Sequence, residues 1–438
     1  MEHINVVGGG LAGCEAAFHI ANQGIKVRLW EMRPHKETAV HTTSNLAELV
    51  CSNSLKSEIP STAQGLLKAE MKILGSLLLE KAETARVPAG SALAVDRLIF
   101  SELITEAITS HPLIEVIREE VTELLDDEIY IIATGPLTSD AMADFIQNLT
   151  GEDNLSFYDA ISPSVTRESL DDSKVFRASR YGKGTADYLN CPFNQDEYEE
   201  FYEKLILADI YEGHNIDQKK YFNACMPIEV MAQKGKDTLR FGPMRPVGLS
   251  DPRTEERPYA VVQLRQEDKA GNIFGLVGFQ TRMLWGAQDN VLRLIPGLEN
   301  AEFVRYGMMH RNTYINSPLV LKETLQMKKH PQWLFAGQIT GVEGYMESAA
   351  TGIIAGYNAV RLLKGQELLV LDTDTLIGSL LDFISTSTTS NFQPMNANFG
   401  ILPQLPTKIR DKKVRYEAYL QRSMEKMNKF SELFLKQL

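Results

Sequence analysis

The stretch that most constrains this chain is Ile4-Asn5-Val6-Val7-Gly8-Gly9-Gly10-Leu11-Ala12-Gly13, with Arg28-Leu29-Trp30-Glu31 following it. A short apolar strand enters a glycine turn, and a helix-forming run extends from Leu11 to Gln23. Gly24 stops the helix, and a second strand, Lys26 to Trp30, ends on an acid. That order is the βαβ unit of dinucleotide-binding proteins. Gly8 permits the tight turn, Gly10 lets backbone approach a pyrophosphate, and Gly13 lets helix and strand pack closely. Gly9, Leu11 and Ala12 complete the turn, where the helix N-terminus offers N–H groups to phosphate. Glu31 stands where a carboxylate accepts bonds from ribose hydroxyls.

An acid at the end of the second strand argues against a 2′-phosphate, leaving FAD or NAD. Two later stretches favour FAD. The strand ending in Ala133-Thr134-Gly135 resembles the second nucleotide-proximal strand of two-dinucleotide flavoproteins. Trp333 to Gln338 is a strand running into a Gly-rich loop at Gly337, and the helix after it, roughly Glu347 to Leu363, carries Gly352 and Gly356 on one face. The expected fold is α/β: a Rossmann-like, glutathione-reductase-like FAD-binding domain with a smaller α+β domain inserted. The character changes near residue 156, where aromatics become dense, and flavin-type signals resume past 330. The expected division is 1–155 for the first part of the FAD domain, 156–305 for the insertion and 306–438 for the second part.

Several helices are expected. Ser61 or Thr62 caps one running through Thr84, Asp96 and Arg97 open one to Ser110, and others cover Asp140 to Leu149, Asp196 to Asp209 and Lys412 to Leu435. The 438 residues, 44% hydrophobic and 23% charged, are those of a soluble globular protein. No apolar run reaches the length of a membrane span. Strand residues begin almost at Met1, so no signal peptide is expected, and the expected location is cytoplasmic. The net charge of −12 argues against general nucleic-acid affinity but leaves room for a local basic surface. One such run is Lys408-Ile409-Arg410-Asp411-Lys412-Lys413-Val414-Arg415, which by itself reads as a solvated helix start.

The four cysteines show no Cys-x-x-Cys or zinc spacing, so neither a structural metal nor a redox pair is expected. Cys225 precedes Pro227, a residue favoured at the first helical position, with Gly235 placed to end that helix. A thiol just ahead of a helix N-terminus is favoured as thiolate. Cys51 lies in a polar loop with Ser52, Asn53, Ser54 and Lys56. Cys14 and Cys191 read as inert core thiols.

The blocks Leu49-Val50-Cys51-Ser52-Asn53-Ser54, Cys225-Met226-Pro227-Ile228-Glu229 and Phe241-Gly242-Pro243-Met244-Arg245-Pro246 carry a resemblance. So do His310-Arg311-Asn312, Gly337 through Tyr345 and Asn391 through Gly400. With the N-terminal fingerprint, they resemble the bacterial folate- and FAD-dependent tRNA (uracil-5-)-methyltransferases (TrmFO, the small Gid family) over almost the whole chain. The larger flavoproteins that modify the tRNA wobble uridine share the FAD domain but carry an extra C-terminal helical domain, which is not expected here.

The resemblance implies a reaction: 5-methyluridine in the tRNA T-loop, made from a methylene group of methylenetetrahydrofolate and reducing equivalents from FADH2 and NADH or NADPH. It assigns nucleophilic addition at uracil C6 to Cys225 and an acid/base or methylene-relay role to Cys51. It turns Lys408, Arg410, Lys412, Lys413 and Arg415 into candidate tRNA contacts, with Arg240, Arg245 and Arg253 as further ones. Gln338, Glu343, Gly344 and Tyr345 become candidate flavin contacts, and His310 and Arg311 candidate pocket residues. The alternatives are another FAD-dependent tRNA-uridine modifying enzyme, a small-molecule flavin oxidoreductase, or an RNA-binding protein that merely retains FAD.

Overall fold

The computed structural model describes residues 3–38, 40–151, 155–182, 185–211, 226–389 and 392–435. Its first layer is a five-stranded parallel sheet ordered Trp333–Phe335, Tyr130–Ile132, His3–Val7, Lys26–Trp30, Ile114–Ile117. Every neighbouring pair in it is parallel, as crossover helices require. The fold is the Rossmann-like α/β fold expected. The strand His3–Val7 is central and buried from Ile4 to Val7, because both of its faces are covered.

The helix Leu11–Asn22 leaves the glycine turn and lies against the helix Tyr345–Leu363. Small residues make that contact possible. A Cβ on Gly352 would stand 2.2 Å from the Ala12 carbonyl oxygen, and one on Gly356 would stand 2.9 Å from that of Ala16.

The second layer is a six-stranded antiparallel sheet, ordered Phe176–Arg177, Leu189–Phe193, Ala260–Gln266, Ile273–Leu276, Ser164–Thr166, Phe303–Arg305. It has its own core, with Phe193, Tyr198, Phe201, Phe274 and Phe279 fully buried. The chain passes between the sheets through one antiparallel pair, leaving along Leu155–Ala160 and returning along Met309–Tyr314. A small sheet of Ser54–Ser57, Ala92–Val95 and Arg86–Val87 sits beside the cofactor fold.

Two helix expectations need correcting. The stretch from Thr62 to Thr84 is two helices, Ala63–Ile73 and Leu77–Thr84. Gly75 turns left-handed at φ +77°, and the Ser76 hydroxyl then accepts from Leu79 N–H as a fresh N-cap. The buried Glu15 carboxylate accepts from the N–H groups of Leu77 and Leu78, holding the second start in place. Pro227 is the N-cap rather than the first helical residue, and the helix it opens, Ile228–Ala232, is only five residues long. A dipole this short supplies little of the thiolate stabilisation expected from it. No helix among the described residues is long and apolar enough to cross a membrane.

Candidate active site

The cradle is built from the glycine turn upward. Gly8 takes φ +107°, and a Cβ there would strike the Ala133 carbonyl at 2.4 Å. Gly13 sits over the Gly8 carbonyl so closely that a Cβ would come within 1.8 Å of its oxygen. Gly10 faces open space, so backbone alone lines that point. The helix Leu11–Asn22 starts with no side-chain cap and no acid in its first turn. Its leading N–H groups therefore remain available to an anion.

One cleft brings together Gly8, Gly9, Gly10, Leu11, Ala12, Glu31, Ala133, Thr134, Gly135, Gly337, Gln338 and Tyr345. Three segments far apart in sequence thus meet in one place. Gly13, Glu343 and Gly344 do not line it. Gly13 packs beneath the turn, Glu343 accepts from Gln338 Nε2 at 2.6 Å and so orients that side chain, and Gly344 opens the helix Tyr345–Leu363 at φ +122°. The open backbone cradle and uncapped helix end fit the pyrophosphate of FAD.

Glu31 has more to do than its sequence position suggests. Oε1 accepts from the N–H and Nε of Arg33, both at 3.0 Å, while Oε2 accepts from Gly9 N–H at 3.1 Å and Arg33 Nη2 at 3.3 Å. Four donors fill the usual capacity of a carboxylate. Glu31 therefore pins the glycine turn, and a ribose hydroxyl must share an oxygen already in use. Burial works against ionising Glu31, but the hydrogen bonds and charge of Arg33 outweigh it and hold the carboxyl below its ordinary range. Arg33 also reaches Glu48 Oε2 at 3.2 Å, which ties the following loop to the same spot.

Cys51 stands beside this cleft, half-buried. The Tyr345 hydroxyl, which lines the cleft, accepts from the N–H groups of Cys51 at 2.8 Å and Ser52 at 3.0 Å. Burial pushes the Tyr345 phenol up, so it stays neutral and can hold both bonds.

Arginines from both layers surround the same loop. Arg265 donates to Asn53 Oδ1 and Ser52 Oγ at 2.9 and 2.8 Å. Arg97 and Arg305 flank the buried Glu267 carboxylate at 2.7 and 3.5 Å. Burial favours the protonated form of Glu267, yet the two guanidiniums and the Ser164 hydroxyl hold its pKa below the ordinary range. Sequence reasoning missed this cluster. Arg97 and Glu267 are 170 positions apart, and no local pattern joins them.

On the other side, Lys56 Nζ meets the buried Glu347 carboxylate at 3.4 Å, and Glu347 also accepts from Ala397 N–H. That bond brings the block around Asn396 and Ala397 to the cofactor fold.

Cys225 lies outside the described residues, as does Asn391. So do the side chains of His310 and Arg311, although the backbone of their strand pairs with Leu155–Ala160. The residues on either side of 212–225 are anchored to one stretch. Tyr211 N–H donates to the Arg282 carbonyl at 2.8 Å and Ile228 N–H to that of Gln280 at 2.8 Å. Glu229, fully buried, accepts from Arg282 N–H and the Thr281 hydroxyl, both at 2.9 Å. Cys14 and Cys191 are buried, and burial pushes both thiols up, as inert core cysteines require. No cluster able to hold a metal ion occurs among the described residues.

The basic run is separate from the cleft. Lys408, Arg410, Lys412 and Lys413 are exposed, while Arg415 is half-buried and donates to the Ile409 carbonyl. Arg253 is engaged by Asp251 and the carbonyls of Ser173 and Lys174, and Arg240 lies 3.6 Å over the Tyr259 ring.

A family model described as "Glucose inhibited division protein A" matches residues 3–367. The chain belongs to this family. Within it, the chain is 65% identical over 435 residues to the Methylenetetrahydrofolate–tRNA-(uracil-5-)-methyltransferase TrmFO of Syntrophomonas wolfei, covering 99% of this chain and 100% of the relative. It is 55% identical to the protein of the same name from Pelotomaculum thermopropionicum, with 99% of each chain covered. Among solved structures, the Aquifex aeolicus GidA matches with a TM-score of 0.71 at 17% identity, covering 98% of this chain and 73% of that one. That likeness shows a shared fold.

Proposed function

We propose that this chain is a methylenetetrahydrofolate-dependent tRNA (uracil-5-)-methyltransferase that forms 5-methyluridine in the T-loop. The observation carrying the reading is its 65% identity, end to end, with a relative of that name. The glycine cradle meeting the Cys51 loop in one place supports it. FAD, when bound in the cradle, supplies the hydride that turns a methylene on C5 into a methyl group. NADH or NADPH returns the reducing equivalents, and the enzyme works in the cytoplasm.

The protein groups do the rest. The thiolate of Cys225 adds to uracil C6, which places electron density on C5. C5 then attacks the folate methylene, with the folate amine leaving. Cys51 takes the C5 proton, and its backbone is held for that task by the Tyr345 hydroxyl. Once the methyl group is formed, elimination of Cys225 restores the pyrimidine. Gly8, Gly9, Gly10, Leu11 and Ala12 hold the pyrophosphate, Gly13 supports the turn from beneath, and Glu31 fixes it. Ala133, Thr134, Gly135, Gly337, Gln338 and Tyr345 line the remaining cofactor surface, with Glu343 orienting Gln338 and Gly344 setting the helix start. Lys408, Arg410, Lys412, Lys413 and Arg415 contact tRNA backbone.

The test combines holoenzyme, NADPH, methylenetetrahydrofolate and an unmodified tRNA transcript, with 5-methyluridine as readout. Cys225→Ala is expected to keep FAD, make no product and release no tritium from C5-labelled uridine. Cys51→Ala is expected to keep FAD and make no product, yet still trap an adduct on 5-fluorouridine-containing tRNA. Adduct formation by Cys225→Ala but not by Cys51→Ala reverses the two roles. Product from both variants refutes the mechanism.

A further inference from the structure

The antiparallel sheet carries an arrangement that nothing so far has used. Trp285 opens the helix Trp285–Leu292 and is 60% exposed. Its indole lies over Tyr306 with ring centroids 5.7 Å apart and planes 19° from parallel. Tyr306 in turn stacks on Phe303 at 5.2 Å and 21°. The Arg293 guanidinium closes the column 5.5 Å from the Phe303 ring.

This stack is held rigid by polar bonds. Asp289 accepts from the Tyr306 hydroxyl at 3.0 Å and from Arg293 at 3.1 Å. Gln288, buried, bonds the N–H and carbonyl of Gly307. A large indole exposed at the end of an ordered stack offers a flat apolar face on which another ring can lie.

Three observations say what covers it. The exposed face is the open end of a parallel stack, the geometry on which unpaired bases lie. The same residue begins a helix with no side-chain cap and no acid in its first turn, and a Cβ on Gly286 would meet nothing. Bare N–H groups next to an aromatic plane suit a nucleotide, with phosphate at the helix end and base on the ring. Position is the third. Met308, two residues after Tyr306, accepts from Ile161 N–H at 2.7 Å, and the neighbouring Ala160 carbonyl is 3.9 Å from Cys51 Sγ. Met283, two residues before Trp285, adjoins Arg282, which anchors the Glu229 and Tyr211 ends of the 212–225 segment.

We propose that Trp285, backed by Tyr306 and Phe303, is a stacking platform for an unpaired base of the RNA substrate, beside the base that reacts. The inference rests on the tRNA reading above and deepens it.

The chain has three tryptophans, and two of them are sheltered: Trp333 is buried, while Trp30 lines the nucleotide cleft and donates to Asn5. Tryptophan emission quenched by acrylamide therefore reports mainly on Trp285. With FAD-loaded enzyme, an unmodified tRNA transcript is expected to protect that emission. Trp285→Ala is expected to bind the transcript about five- to a hundredfold more weakly, the range of base–aromatic stacking. Trp285→Phe should stay near wild type, and both should keep FAD and the wild-type melting temperature. Unprotected emission at saturating tRNA overturns the platform, as does wild-type affinity in Trp285→Ala. Protection that grows with protein concentration in the absence of RNA also overturns it, because the face then joins two copies of this chain. Formation of 5-methyluridine by the wild type is scored separately, so a failed methyltransferase reading and a failed platform give different results.

Discussion

Replacing Gly352 by alanine tests whether the crossing of two helices sets the cofactor cradle. Real Cβ atoms essentially never approach closer than 3.0 Å, and the new one would stand 2.2 Å from the Ala12 carbonyl oxygen. That oxygen is backbone and cannot rotate away, so the helices must part by about 0.8 Å at this point. Overpacking of this kind costs about 1–3 kcal/mol, and a clash with backbone belongs at the upper end. Alanine returns about 1 kcal/mol of helix propensity. The net loss is then about 2 kcal/mol. Gly356 is the internal control, because its Cβ falls only about 0.1 Å short of the same limit against Ala16. There the small clash and the propensity gain nearly offset each other, and Gly356→Ala should change stability by less than about 1 kcal/mol. Ala12 also lines the cleft at the glycine turn, so Gly352→Ala should weaken FAD binding by about tenfold, or about 1.4 kcal/mol. Thermal melting and FAD titration of the two variants read both effects. Equal melting shifts for the two, or unchanged FAD affinity in Gly352→Ala, would refute the reasoning.

Neutralising Lys412, Lys413 and Arg415 together should weaken tRNA binding and reduce its log–log salt slope by roughly 0.7 to 0.9 for each phosphate no longer neutralised; unchanged affinity and slope would leave the run as a solvated helix start. The Glu70 carboxyl, buried between Leu376 N–H, Ile377 N–H and the Ser423 hydroxyl, is pushed up to about 7 by burial. Its native form holds a proton more tightly than the unfolded chain does, so stability should fall as pH rises from the ordinary carboxyl value of 4.5 to about 7. Glu70→Gln should flatten that segment of a melting-temperature profile, and a profile unchanged by the substitution would exclude Glu70 as its source.

The cofactor fold was legible because its signal is local. Strand, glycine turn, helix and acid follow one another without interruption from Ile4 to Glu31, and each has one physical job. The later strands at Tyr130 and Trp333 could be placed by their glycine endings. The break at Gly75 was hidden because apolar periodicity continues across it: Leu74, Leu77 and Leu78 are all buried. What escaped entirely was assembly at long range. Ser164–Thr166 pairs with both Ile273–Leu276 and Phe303–Arg305, and the arginines around Cys51 arrive from three distant segments. The aromatic density of the inserted region was visible as composition, but the stacking of Trp285, Tyr306 and Phe303 depends on a fold that no spacing encodes.

The strand order of the parallel sheet also bears on how the chain is made. Tyr130–Ile132 is flanked on one side by His3–Val7, already synthesised, and on the other by Trp333–Phe335. Some two hundred residues of chain lie between Ile132 and Trp333. A ribosome adding about 5–20 residues per second leaves that edge open for roughly 10–40 s. During that interval the antiparallel sheet, whose strands all lie between Ser164 and Arg305, has everything it needs to close on itself. The nascent nucleotide fold must meanwhile keep a bare strand edge from pairing with other chains. Gly337 and the helix bearing Gly352 are the last of the cradle's segments to emerge, so the cradle acquires its final wall, and its grip on a cofactor, only after the antiparallel layer is built.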